Sequence, residues 1–103
     1  MRISAAQAAA VWQAADLLHS PAEVHQVLDA MAQAIRQTLA DADPLVLCTM
    51  TGGVMLAGQL LPRLDFPLEL DYLHATRYRG ATQGGELHWI HQPKTALVGR
   101  AVL

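Results

Sequence analysis

The residues of this 103-residue chain whose types and spacing could do chemistry are Met50-Thr51-Gly52-Gly53. They follow an apolar run, Leu45-Val46-Leu47-Cys48-Thr49-Met50, and they open a second apolar segment from Val54 to Leu61. In open α/β sheets, ligands bind outside the carboxyl ends of the strands. A glycine turn at such an end lets backbone N–H groups approach an anion such as phosphate, and a following helix adds its positive end. The same residues also read as a plain strand-to-helix turn that needs a positive φ at glycine. The spacing is neither GxGxxG nor GxxxxGK followed by Ser or Thr, so dinucleotide and Walker-type sites are not supported.

A second candidate is the stretch from Tyr78 to Gly85. Residues 79–85 read RGATQGG, with three glycines and no large apolar side chain. Long glycine-containing loops in compact domains serve as lids over a site, or they are surface loops without a role. Arg77 and Arg79 flank Tyr78 and could meet phosphate when such a loop closes.

Other reactive side chains form weaker patterns. His19 and His25 straddle a helix start, and His74, His88 and His91 are spread over strand and loop. His88 and His91 lie three apart, which in a strand places them on opposite faces. A zinc site needs three or four converging ligands, and this spacing supplies none, so no metal site is expected. Cys48 sits within the apolar run and reads as a small buried hydrophobe rather than a nucleophile. Glu69 and Asp71 share a strand face, where they either hold a shifted pKa between them or are simply solvated. Trp12 and Trp89 read as packing residues.

The elements that must position these groups can be read in order. Residues 4–18 are alanine-rich and helical on propensity. Ser20-Pro21-Ala22-Glu23 is a helix start: Ser20 caps, Pro21 fits the first turn, and Glu23 completes a capping box. Val24, Val27, Leu28, Met31 and Ile35 then recur on one face, with Arg36 and Gln37 on the wet side. That predicts a helix over 21–40, broken by Asp41-Ala42-Asp43-Pro44. The run 45–50 is apolar on both faces, as a central strand of a parallel sheet is. A helix over 54–61 follows and Pro62 closes it. Residues 68–73 form a strand, 87–91 another, and 92–95 a turn; Ala101-Val102-Leu103 starts a further strand. Alternating elements of this kind predict an α/β domain with a mostly parallel sheet.

Composition sets outer limits. The apolar fraction is 52% and the charged fraction 16%, enough for a core and incompatible with wholesale disorder. A net charge of -2 lacks the electrostatic footprint of a nonspecific nucleic-acid binder. Cys48 is the single cysteine, so no intrachain disulfide can form. No apolar run approaches the roughly 20 residues that span a bilayer. The alanine-rich start has Arg2 alone before it and is interrupted by Gln7 and Gln13, so it is read as no signal peptide and the chain as cytoplasmic.

Three stretches taken together, LVLCTMTGGVMLAGQLL, LELDYLHATRY and GGELHW…LVGRAVL, resemble the N-terminal part of a hypoxanthine-guanine phosphoribosyltransferase of the bacterial kind. The resemblance runs from about residue 16 to the end. It implies a type I phosphoribosyltransferase-like α/β fold, a largely parallel sheet flanked by helices. On this reading residues 1–103 are the N-terminal part of one such domain, cut before the strand that carries the family's 5-phosphoribosyl 1-pyrophosphate (PRPP) signature.

What the resemblance implies about function is specific. The family transfers a phosphoribosyl group from PRPP to hypoxanthine or guanine, giving IMP or GMP and pyrophosphate, in purine salvage. A purine nitrogen displaces pyrophosphate at the anomeric carbon through an oxocarbenium-like transition state, with Mg²⁺ on the leaving group. Catalysis is then mainly positioning and charge stabilisation. Met50, Thr51, Gly52 and Gly53 match the loop whose backbone amides hold pyrophosphate, with a cis peptide at Met50–Thr51. Arg77, Tyr78, Arg79, Gly80 and Thr82 match the lid loop.

Two positions depart from the family pattern. Thr51 stands where relatives often carry Lys or Arg, so a side-chain charge contact is missing there. Arg77 stands where many have Ser. The resemblance places no catalytic residue within this chain, which is therefore expected to be inactive alone, and it implies a homo-oligomer, dimer or tetramer. The alternatives are a non-catalytic or regulatory module of the same fold, or a phosphoribosyltransferase for another base.

Overall fold

The computed structural model describes residues 2–77 and 86–103. Helix α1 (Ala5–Ala14) opens on a capping box between Ser4 and Gln7 and buries no residue. It ends four residues short of the predicted boundary. Trp12, expected to pack, is 82% exposed. Alanine supplies helix propensity without apolar bulk, so α1 forms with little to bury.

Helix α2 (Pro21–Leu39) matches its prediction closely. The Ser20 hydroxyl accepts from the Glu23 N–H at 3.2 Å, and the Glu23 carboxylate accepts from the Ser20 N–H at 2.9 Å. The hydrogen bond from the Ser20 backbone is the main reason the Glu23 carboxyl lies below its usual range. The predicted apolar stripe is only partly covered. Leu28 and Ala32 are buried and Ile35 packs on the core cluster, whereas Val24, Val27 and Met31 stay exposed.

Strand β1 (Leu45–Thr49) follows Pro44, and Pro44 and Leu45 are the most deeply buried side chains. Asp43, just before Pro44, takes a left-handed conformation with φ 46°. Asp tolerates that region better than most residues. Helix α3 (Val54–Leu60) and a 3-10 turn (Leu61–Arg63) then lead into β2 (Glu69–Arg77). Leu60, Leu64 and Ala32 form the core cluster beneath them, with Ile35, Leu61, Phe66 and Leu68 packed around it. Arg63 pairs with Asp29 at 2.7 Å, and Arg36 pairs with Asp65, so two ion pairs tie this connection to α2.

β2 lies parallel to β1, with Cys48 opposite Tyr72. β3 (Leu87–His91) pairs with β2 antiparallel, with a register shift at His74/Ala75. That antiparallel edge is compatible with the mostly parallel sheet expected, and it explains why β2 runs to Arg77 rather than stopping at Leu73. The extra residues lack apolar alternation, but they find hydrogen-bond partners on β3. On the other side of β1, Ala101 to Leu103 run parallel to it: the Leu45 N–H donates to the Ala101 carbonyl at 2.8 Å, and the Leu103 N–H donates to the Leu45 carbonyl at 2.9 Å. β1 is therefore paired on both edges, as its apolar faces required.

Candidate functional site

The glycine turn leaves the carboxyl end of β1. The Met50 N–H still pairs with the Leu73 carbonyl, at 2.8 Å, and the Met50–Thr51 peptide is cis, as the resemblance implied. The Gly53 N–H donates to the Thr49 carbonyl at 2.7 Å and the Val54 N–H to the Thr51 carbonyl at 3.1 Å. The Thr51 and Gly52 N–H groups have no protein acceptor among the described residues. Both residues are exposed. Two adjacent exposed donors without a protein acceptor thus stand just past the carboxyl end of a parallel strand, where ligands bind in open α/β sheets.

The positive φ offered as the plain reason for the glycines is absent. Gly53 has φ -85°, and Gly99 is the glycine with positive φ among the described residues. What excludes a side chain at 53 is proximity, because a Cβ there would lie 2.7 Å from the Thr49 carbonyl oxygen. At Gly52 a Cβ would meet nothing within 4 Å. The fold thus demands glycine at 53 and leaves 52 unconstrained. The helix end adds little: α3 has seven residues, and the Gly53 and Val54 donors are already engaged.

Beside the turn, an apolar cleft of about 400 Å³ opens between α3 and the β1–β2 surface, lined by Met50, Val54, Leu70 and Tyr72 among others. Cys48 lines it and is buried, as expected of a small hydrophobe. Tyr72 stacks on His91 with ring centroids 3.9 Å apart and planes 7° from parallel. Arg77, the last residue of β2, lies at the same end of the sheet as the turn. Tyr78, Arg79, Gly80 and Thr82, the rest of the expected lid, lie outside the described residues. No group of three or more His, Cys, Asp or Glu side chains converges among the described residues.

Glu69 and Asp71 do not act on each other. Through separate partners they fasten β2 to residues 94–100, Glu69 at the end of the sheet away from the turn, opposite Leu45, and Asp71 in mid-strand, opposite Leu47. The Asp71 carboxylate accepts from the N–H groups of Thr95 at 2.8 Å, Tyr72 at 2.7 Å and Lys94 at 2.9 Å. The Thr95 backbone donor, ahead of that of Tyr72, pulls the Asp71 pKa down to about 2. Glu69 pairs with Arg100 at 2.7 Å, and Arg100 also donates to the Asp43 carbonyl at 3.0 Å. Sequence reasoning missed these clamps because their partners lie 23 to 57 residues away.

The model of the phosphoribosyl transferase domain matches residues 13–98, a span that holds β1, the glycine turn and both later strands. The chain belongs to the phosphoribosyl transferase domain family. Among its relatives, a hypoxanthine-guanine-xanthine phosphoribosyltransferase from Tritrichomonas foetus is 31% identical over 87 residues, which are 84% of this chain and 48% of that protein. A solved hypoxanthine-guanine-xanthine phosphoribosyltransferase superposes with a TM-score of 0.73 at 26% identity, over 84% of this chain and 48% of the other. A hypoxanthine-guanine phosphoribosyltransferase from Bacillus anthracis gives a TM-score of 0.76 at 18% identity, over 85% of this chain and 53% of the other, a likeness of fold. The chain spans about half the length of the curated relatives it matches. The α/β, type I phosphoribosyltransferase-like architecture expected from the sequence is the one observed.

Proposed function

We propose that the protein transfers a phosphoribosyl group from PRPP to a 6-oxopurine base in purine salvage, and that Met50 to Gly53 hold the pyrophosphate of PRPP. The pair of unengaged N–H donors at Thr51 and Gly52 carries this reading. They point to an anion without any help from side-chain charge, which suits a loop that has Thr51 where relatives often carry a cation. In the reaction the purine nitrogen forms a bond to the anomeric carbon as the bond to pyrophosphate breaks, and the electron pair leaves on the pyrophosphate oxygen. Donors fixed before the reaction stabilise that charge without having to reorganise.

Mg²⁺ bound to pyrophosphate would neutralise part of the leaving group's charge. The described residues form no carboxylate cage for it, and Mg²⁺ is commonly held through substrate phosphates with few protein ligands. The ion therefore belongs to the substrate in this proposal. Arg77 and the stretch that follows it, with Tyr78, Arg79, Gly80 and Thr82, take the role of the lid. A cytoplasmic homo-oligomer, dimer or tetramer, completes the reading. Its support is the family resemblance, and no helix among the described residues is long and apolar enough to cross a membrane.

Isothermal titration of the full-length protein with PRPP and Mg²⁺, followed by hypoxanthine, guanine and xanthine with product assay, tests this; the 103 residues by themselves are expected to be inactive. Binding of PRPP followed by formation of IMP, GMP or XMP is expected. Binding of PRPP without turnover of any base would favour the non-catalytic module, and absence of PRPP binding would overturn the assignment of the turn.

A further inference from the structure

We draw no further inference here: the strongest candidate, the apolar groove of about 490 Å³ along α2 and α3 lined by Val24, Val27, Met31 and Leu56, is an unpartnered face, and nothing in the structure shows what covers it.

Discussion

Gly53 lies so close to Thr49 that a Cβ placed on it would sit 2.7 Å from the Thr49 carbonyl oxygen, whereas a Cβ on the neighbouring Gly52 would touch nothing within 4 Å. The two glycines of one turn thus answer to different constraints, and their substitutions separate. Gly53→Ala must displace backbone and should cost about 1–3 kcal/mol of stability, the range for a steric misfit of this kind. Gly52→Ala should stay within about 0.5 kcal/mol of the parent, as an exposed site does. Paired denaturant melts read the first effect. PRPP titration reads the second, where Gly52→Ala should weaken binding by about tenfold or more, equivalent to ~1.4 kcal/mol. Equal stability losses in the two variants would contradict the steric argument. Unchanged PRPP affinity in Gly52→Ala would contradict close approach by pyrophosphate.

Asp71 makes stability depend on acid. Its carboxyl titrates near 3.8 in the unfolded chain and near 2 in the fold. A group whose pKa is lowered on folding stabilises the fold above its unfolded pKa, and that contribution is lost as pH falls through the folded value. The parent protein should therefore lose stability between about pH 4 and pH 2, and Asp71→Asn should flatten that part of the profile. Chemical denaturation at stepped pH measures it, and an identical acid slope in both proteins would rule the clamp out as its source.

Burial predicts which apolar residues matter. Leu45 is 0% exposed and Trp12 is 82% exposed. Leu45→Ala should cost about 2–5 kcal/mol, the usual range for deleting a buried leucine side chain. Trp12→Ala should change stability by less than about 0.5 kcal/mol, despite removing the larger side chain. A large loss in Trp12→Ala would show that α1 packs against something in solution.

Arg100 and Glu69 pair at the end of the sheet away from the glycine turn, with side chains 24% and 51% exposed. A double-mutant cycle with Arg100→Ala and Glu69→Ala should return a coupling of about 0.2–1 kcal/mol, typical of a partly exposed pair. Arg100→Ala alone should cost more than Glu69→Ala, because it also removes the donor to the Asp43 carbonyl. Equal costs would mean that this second bond contributes nothing.

Local signals in the sequence were the reliable ones. Ser20 and Glu23 announced α2 because a capping box closes within four residues, and the run from Leu45 announced β1 because a strand paired on both edges can be apolar throughout. The glycine turn was legible for the same reason, since it stands between two apolar segments. What failed depended on distant partners. Nothing near Asp71 reveals that Lys94 and Thr95 will supply its donors, and nothing in His74 to Arg77 marks a strand until β3 lies alongside. The exposure of Val24, Val27 and Met31 was hidden as well, because helical spacing names a face and not its covering.

The double-edged pairing of β1 has a further consequence for motion. Segments of a protein open locally in a hierarchy, and those held from several sides open last. β3 can detach by losing one neighbour, whereas β1 must lose β2 and the strip at Ala101 to Leu103 together. Its amides should be among the slowest to exchange with solvent in the chain. Thr51 and Gly52 follow directly on that doubly paired strand, so in the proposed function the donors for pyrophosphate should keep their place even when β3 opens.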